Sequence, residues 1–339
     1  MERPTNEEIS RVVVSSRVRL ARNLKDYPFP NKIDEHQASE LVDRVVRTVK
    51  EGNTVLKDNL TPVIIKNKSM LEKEVLLEKH LISKELLNEN NGAALIQEDE
   101  TISIMINEED HLRIQVLMKG LSLLQAYDLC DKVDDVLEER LKYAFSENLG
   151  YLTACPTNIG TGLRASVMLH LPALVELGYM GGILESAGQI GLAVRGLYGE
   201  GTKSIGSLFQ ISNQLTLGRK EEEIVGNIIG ISKQIVEREL EAEKILRKRM
   251  GLFLDDRISR SLGILRFSKV MGTEEAMNHL SNIKIGIGIG IVKGIENSEV
   301  DNLMIKVQPA NQAMIAKEAK RDDKRADYLR EAFKNVDIN

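Results

Sequence analysis

The sequence predicts an α+β protein in which an antiparallel sheet flanked by helices is followed by a helical C-terminal domain. Three observations carry that expectation. Short apolar runs recur through the first two-thirds of the chain, several too close together for the crossover helices of a parallel sheet. Residues 101–106 alternate polar and apolar side chains, as a strand with one buried face does. After about Gly251 the strand signals fade and helical periodicity takes over.

The runs at 12–14, 63–65 and 93–96 are brief and apolar, and 189–194, 207–211 and 214–217 add three more candidate strands. Leu41, Val45 and Val49 share one face of a helix beginning near Asp34, and Leu117, Leu121 and Leu124 suggest another after Asn107. A charged helix is expected over residues 220–250. Beyond it, 258–271, 273–280 and 309–334 read as helices, the last opening with Pro309 at a first-turn position. Residues 285–291 alternate Ile with Gly, and local propensity there is ambiguous. The expected division is a domain over 1–245 and a helical one over 246–339.

Composition narrows the function classes. The chain has 339 residues, 42% of them apolar, but 6 Phe, 7 Tyr and no Trp, so the core must be mostly aliphatic. A net charge of −5 argues against nonspecific nucleic-acid binding, which needs a basic surface. Two cysteines, Cys130 and Cys155, cannot build a disulfide framework. The N-terminus does not resemble a signal peptide and no apolar run approaches bilayer length, so a cytoplasmic protein without membrane contact is expected.

The common phosphate-binding loops are absent or incomplete. Gly286, Gly288 and Gly290 never complete G-x-G-x-x-G. Residues 196–204 miss a Walker A loop by one position, because Thr202 separates Gly201 from Lys203, and Glu200 within them would repel phosphate. Neither H-E-x-x-H nor G-x-S-x-G occurs.

What remains is a set of arginines beside strand-like or turn-like sequence. Arg17 and Arg19 follow an apolar run, and alternation puts them on one face. Arg113 lies just past Asn107-Glu-Glu-Asp-His111, Arg164 ends a loop-rich stretch from Cys155, and Arg195 follows the candidate strand at 189–194. Guanidinium groups are natural bidentate ligands for phosphate oxygens, although scattered surface ion pairs would look the same from composition alone. Glu109 is expected where a strand ends and a helix begins, and as an acidic first helical turn it would need no further role. Cys155 before proline reads equally as an inert buried thiol.

Four blocks taken together resemble the signature motifs of the phosphagen (guanidino) kinases. They are Ser15-Ser-Arg-Val-Arg-Leu-Ala-Arg-Asn23, Asn107-Glu-Glu-Asp-His-Leu-Arg113, Cys155-Pro-Thr-Asn-Ile-Gly-Thr-Gly-Leu-Arg-Ala165 and Val194-Arg-Gly-Leu-Tyr-Gly-Glu200, in family order. Within that superfamily the chain is most similar to the bacterial protein-arginine kinases. The first arginine motif begins at Ser15, without the helical domain that precedes it in the free arginine and creatine kinases. A C-terminal extension carries Arg321-Asp322-Asp323-Lys324-Arg325-Ala326, similar to the family's R-D-x-x-R-A phosphoarginine motif; alone, such a run is an ordinary solvated helix face. Tyr198 stands where free arginine kinases usually carry an arginine, so the nucleotide pocket is expected to hold one positive charge fewer.

The resemblance implies an ATP-dependent kinase that phosphorylates arginine side chains of proteins. It puts Glu109 in the role of general base, Glu200 as a second clamp on the guanidinium and Cys155 as the thiol beside it. Arg17, Arg19, Arg113, Arg164 and Arg195 would cradle the ATP phosphates, with Mg²⁺ held mainly by the nucleotide and His80 on the adenine side. Arg321, Asp322 and Arg325 would bind phosphoarginine. It further implies a homodimer held by the C-terminal domain, an activator protein, stress-repressor substrates and a Clp-type protease that reads the mark. Two alternatives stay open on sequence, a kinase for free guanidines and a phosphoarginine-reading adaptor without turnover. The presence of both glutamates with all five arginines favours catalysis.

Overall fold

The computed structural model describes residues 4–52, 56–197, 204–316 and 320–339. The chain forms two compact units, neither contiguous in sequence. A sheet unit comprises Ser15–Ser166 and Ser212–Ile229, and a helical unit comprises Met1–Val14, Val167–Ile211 and Gly230–Asn339.

The chain starts with α1 (Asn6–Val12), β1 (Val13–Arg22) and α2 (Glu35–Glu51). Asp34 opens α2 by accepting the Gln37 N–H at 2.8 Å, and Leu41, Val45 and Val49 are buried as their spacing predicts. Next come α3 (Leu56–Asn59), β2 (Leu60–Ile64), α4 (Met70–Glu78), α5 (Lys84–Leu87), β3 (Ala93–Gln97), β4 (Ile102–Ile106), β5 (Leu112–Lys119) and α6 (Leu123–Glu138). The hairpin β6 (Phe145–Ser146) and β7 (Gly150–Tyr151) precedes β8 (Leu163–His170), which is followed by α7 (Pro172–Glu176), α8 (Met180–Gln189), β9 (Leu192–Gly196) and β10 (Leu208–Asn213). The helices α9 (Glu221–Met250), α10 (Leu252–Phe267), α11 (Thr273–Gly288), α12 (Asn297–Lys306), α13 (Pro309–Ile315) and α14 (Arg321–Phe333) complete the chain with the short strands β11 (Val292–Lys293) and β12 (Asp337–Ile338).

In the sheet unit the strand order is β2-β3-β4-β5-β1 and then β8, with antiparallel pairing from β2 through β1. One face is apolar throughout: Val18 and Leu20 on β1, Ile114 and Val116 on β5, and Ile102 and Ile104 on β4 are all buried. In the helical unit the strand order is β8-β10-β9, accompanied by helices. The α+β expectation, an antiparallel sheet with helices and a helical C-terminal region, is met.

Several local expectations differ from the structure, each for a visible reason. Val12 closes α1, and the strand expected to end before Arg17 instead runs on to Arg22. Leu117 lies on β5 and Leu124 on α6, separated by Gly120 at φ +63°, so their helical spacing straddles a strand and a helix. Glu109 therefore sits in a strand-to-strand turn and not at a helix start. Gln189 ends α8, and β9 begins only after Gly191 at φ +75°. Residues 214–217 form no strand; Thr216 spends its hydroxyl there on the Thr157 and Ile159 carbonyls, at 2.9 and 2.7 Å. β8 was hidden by the glycines before it and by burial on both faces.

The Gly–Ile alternation resolves as helix. α11 continues to Gly288 because its glycines are sites of close approach. A β-carbon on Gly286 would lie 2.5 Å from Val292 Cγ2 and 2.8 Å from Ile258 Cγ2. At Gly288 it would meet the Arg11 guanidinium, which is bidentate to Glu243 at 2.9 and 2.7 Å. No helix among the described residues is long and apolar enough to cross a membrane.

These contacts set a sign for substitution. Gly286→Ala gains about 1 kcal/mol of helix propensity but overpacks α11 against two buried side chains, typically costing ~1–3 kcal/mol. The net effect expected is a lower thermal midpoint, measured beside Gly263→Ala. Gly263 has open space around its α-carbon, so its substitution should be neutral or stabilising.

Candidate active site

Strand register assembles a cationic face opposite the apolar one. Arg19 on β1 pairs with Gln115 on β5, which pairs with Ser103 on β4, so the three share a face. Ala21, Arg113 and Met105 form the next row, and Arg17 lies two residues from Arg19 on the same side. Arg164 projects from β8, the other neighbour of β1, and its Nη2 donates to the Ser212 hydroxyl at 3.3 Å. The four side chains are half-buried, and Arg17 and Arg19 lie close enough to the others to feel their charge. Burial first, then Arg164 and Arg113, pulls Arg17 down to about 10. Arg19 falls well below its ordinary value through burial and then Arg17, Arg113 and Arg164, and its Nε is buried without a hydrogen-bond partner. Such a face stores repulsion that a bound polyanion would relieve.

A five-residue turn between β4 and β5 sets carboxylates at the edge of this face. The Asn107 N–H donates to the His111 carbonyl at 3.0 Å, closing the turn, and Asn107 adopts φ +56°, a conformation asparagine tolerates better than most residues. Arg113 Nη1 binds Glu108 Oε1 at 2.6 Å, and its Nη2 binds Glu109 Oε2 at 3.1 Å. Glu108 has no exposed side-chain surface and also accepts the Ser83 hydroxyl at 2.7 Å, whereas Glu109 remains 39% exposed. Burial raises the Glu108 carboxyl, opposed chiefly by Arg113. Of the two acids, Glu109 is the one an incoming group can reach.

The turn is pinned from below. Asp110, fully buried, accepts from Asn23 Nδ2 at 2.6 Å and from the Ala154 N–H at 2.7 Å. Asn23 Oδ1 accepts the His111 N–H at 2.9 Å. The His111 Nδ1 accepts the Leu24 N–H at 3.0 Å, and its Nε2 bonds the Pro28 carbonyl at 2.8 Å, so the ring carries its proton on Nε2. Burial lowers His111 to about 4. Two of the four sequence blocks thus meet through Asn23 and Asp110, and Asp110 also holds Ala154, directly before the third.

Cys155 follows Ala154 directly. It is half-buried, a free thiol with Sγ 3.0 Å from the Thr157 hydroxyl. Its loop is held against two neighbours: a β-carbon on Gly150 would lie 2.4 Å from the Gly160 carbonyl oxygen, and one on Gly160 would lie 2.7 Å from the Thr216 carbonyl oxygen. His80, at φ +61°, is half-buried and lowered to about 4 by burial, then by Arg17 and Arg19. It is therefore neutral at neutral pH and lies within the field of the cationic face.

The sheet unit thus brings together Arg17, Arg19, Arg113, Arg164, His80 and Glu109, and it ties the Cys155 loop to the Glu109 turn. Arg195 lies exposed on β9 in the helical unit. Glu200 and Tyr198 fall outside the described residues. Arg321 and Asp322 open α14 with nearly half of each side chain exposed (46% and 45%). Arg325 is fully buried, donating to the Val307 and Met271 carbonyls at 2.7 Å each and to Asp322, with Nη2 buried and unpartnered. Among the described residues no group of three or more His, Cys, Asp or Glu could hold a metal ion.

Residues 40–242 match the family described as ATP:guanido phosphotransferase, C-terminal catalytic domain, and residues 252–339 match protein-arginine kinase McsB C-terminal domain. The protein-arginine kinase of Caldanaerobacter subterraneus subsp. tengcongensis is 47% identical over 323 residues, covering 94% of this chain and 96% of its own. The chain belongs to the protein-arginine kinase family. The Brevibacillus brevis protein-arginine kinase is 45% identical, covering 97% of this chain and 93% of its own. Among solved structures, the duplicated taurocyamine kinase from Schistosoma mansoni with bound transition-state analogue components superposes with a TM-score of 0.63 at 23% identity. That match covers 76% of this chain and 38% of the duplicated one. A lombricine kinase superposes at 0.61 with 24% identity, covering 71% of this chain and 72% of its own. At these identities the likeness is one of fold.

Sequence reasoning missed the supports of this face and its turn: Asn23, Ser83, Ser103, Glu108, Asp110, His111 and Gln115. Ser103 and Gln115 gave one usable signal, polar residues on strands whose neighbours are apolar. Asn23 and Asp110 sit beside quoted arginines and acids, and only the folded register shows that they point inward.

His111 carries a pH prediction. Its folded value of about 4 lies below the unfolded value of about 6.5, so the unfolded chain binds the extra proton between them. Its contribution to stability is present above pH ~6.5 and is lost as pH falls towards 4. His111→Gln can keep both bonds without titrating. Unfolding free energies from urea titrations across that window should fall less steeply in the variant, by up to ~1.4 kcal/mol per pH unit.

Proposed function

We propose that this chain is an ATP-dependent protein-arginine kinase, transferring the γ-phosphoryl group of ATP to arginine side chains of proteins. The observation that carries the reading is the four-arginine face with Glu109 at its edge. The supporting comparison is the match to protein-arginine kinases across both the catalytic and C-terminal regions.

Arginine is a poor nucleophile because its guanidinium stays protonated and its lone pairs are delocalised. In the proposed step a guanidinium nitrogen attacks the γ-phosphorus, the N–P bond forms, and the bond to the β-phosphate oxygen breaks. ADP leaves with that electron pair, and the proton from the attacking nitrogen passes to Glu109. A placed base is worth about 10²–10⁴ in rate, and in-line positioning with charge stabilisation supplies much of the rest. Arg17, Arg19, Arg113 and Arg164 orient the phosphates and offset their charge. Mg²⁺, brought with the nucleotide, would offset phosphate charge beside these arginines. His80 offers a neutral ring to the adenine, and Cys155 lies beside the substrate guanidinium. Arg195 as a further phosphate ligand and Glu200 as the second clamp are carried by the family resemblance.

The remaining assignments are proposed on that same resemblance. Residues 1–245 form the catalytic module and 246–339 a module for dimerisation and phosphoarginine binding. There Arg321 and Asp322 meet the ligand, while Arg325 holds Asp322 from inside. A homodimer is supported by the outer face of α10, where Arg260, Gly263, Ile264, Phe267 and Ser268 line a shallow depression of about 420 Å³ with Phe253 and Phe267 exposed nearby. Cytoplasmic location, an activator protein, a stress-response repressor as substrate and a Clp-type protease downstream complete the proposal.

The test pairs Mg-ATP with a flexible arginine-containing protein or with free L-arginine. Acid-labile phosphate mapped to arginine of the protein is expected, with Glu109→Gln reducing turnover at least ~100-fold while ADP binding persists. Labelling of free arginine alone would make the chain a phosphagen kinase. Phosphoarginine binding without any turnover would make it an adaptor.

A further inference from the structure

Helix α4 ends in a turn that is unusual for its occupant. The His80 N–H donates to the Leu77 carbonyl and the Leu81 N–H to the Leu76 carbonyl, both at 2.9 Å, which is the Schellman pattern. The left-handed position of that pattern ordinarily holds glycine, because a β-carbon is strained there. Here it holds His80 at φ +61°. A strained residue persists only where its surroundings over-determine it.

Two side chains supply that constraint. Gln115 Nε2 donates to the His80 carbonyl at 2.7 Å, and the Ser103 hydroxyl donates to the Leu81 carbonyl at 2.5 Å. Both residues are almost wholly buried, 2% and 1% exposed, and they are direct cross-strand partners on β5 and β4. The partner of Gln115 on its other side is Arg19. One row of the sheet therefore carries a phosphate-seeking guanidinium and, beside it, two donors gripping consecutive carbonyls of the His80 turn. The bond from Gln115, cross-strand partner of Arg19, places the His80 turn beside the cationic face, where burial and then Arg17 and Arg19 lower the imidazole.

We propose that Gln115 and Ser103 are positioning residues for the nucleotide: by clamping the His80 and Leu81 carbonyls they hold the imidazole at the arginine face and so set affinity for the base end of ADP and ATP. The proposal rests on the reading of this face as the nucleotide site. It separates two contributions within one row, phosphate affinity from Arg19 and base affinity from the clamp. Removing the clamp lets the turn relax towards an unstrained backbone, which takes the ring away while the guanidinium groups stay in place.

The test uses the full chain and two ligands, ADP and inorganic tripolyphosphate, with affinities measured by calorimetry. Gln115→Met, Ser103→Ala and the double variant are compared with Arg19→Met. The double variant should weaken ADP about tenfold and leave tripolyphosphate within about twofold, and KM for ATP should rise while kcat at saturation holds. Arg19→Met should weaken both ligands. Ser103→Ala removes one hydroxyl, and its smaller loss, in the same direction and selective for ADP, decides the matter should Gln115→Met fail to fold. Equal losses for the two ligands, or none for either, in the clamp variants would overturn the proposal alone. ADP affinity indifferent to Arg19→Met would overturn the nucleotide reading of the face, and the proposal with it.

Discussion

Mutual repulsion among four guanidinium groups on one sheet face is the constraint around which the sheet unit is arranged. Arg17, Arg19, Arg113 and Arg164 gain nothing from one another: burial first, and then the neighbouring guanidinium groups, hold Arg17 and Arg19 below their ordinary values. They stay together because the opposite face of the same strands is a continuous aliphatic layer. A strand cannot turn one side chain away without turning its neighbours too. Burial of Val18 and Leu20 therefore dictates where Arg17 and Arg19 point. The work of gathering positive charge is done by apolar side chains that never meet a ligand.

The carboxylates show the complementary device. Glu108 and Glu109 differ by one residue and share Arg113, yet one is sealed and the other open. Alternation around a tight turn is enough to give adjacent identical side chains different solvation, and hence different chemistry. Asn23 and Asp110 hold that turn at fixed height above the Cys155 loop through bonds of 2.6–2.9 Å. A carboxylate placed on a turn is only as well aimed as the turn is fixed, and here the fixing comes from three distant parts of the chain.

Legibility in the sequence followed how local each cause was. The helix after Asp34 was readable because its cap, its apolar stripe and its length all lie within seventeen residues. The helical C-terminal region was readable because strand signals fade there and helical periodicity takes over. The helix assigned across Leu117, Leu121 and Leu124 failed because periodicity does not see Gly120, where the backbone turns. The Gly–Ile stretch could not be settled locally, since Gly286 and Gly288 answer to Ile258, Val292 and Arg11, all remote in sequence. The arginines and Glu109 stood out because charged residues beside apolar runs are conspicuous. Their supports did not, because a buried Asn, Asp or Gln looks like a surface residue until its partner is known.

The bond from Asp110 to the Ala154 N–H has a consequence for how such a protein comes into being. Chain synthesis delivers the first arginine motif early and the acidic turn some ninety residues later, and Asp110 gains its bond from the Ala154 N–H only once that later segment has emerged. A truncated product ending before that point carries Arg17, Arg19, Arg113 and Glu109 but lacks one of the bonds that hold the acidic turn in place.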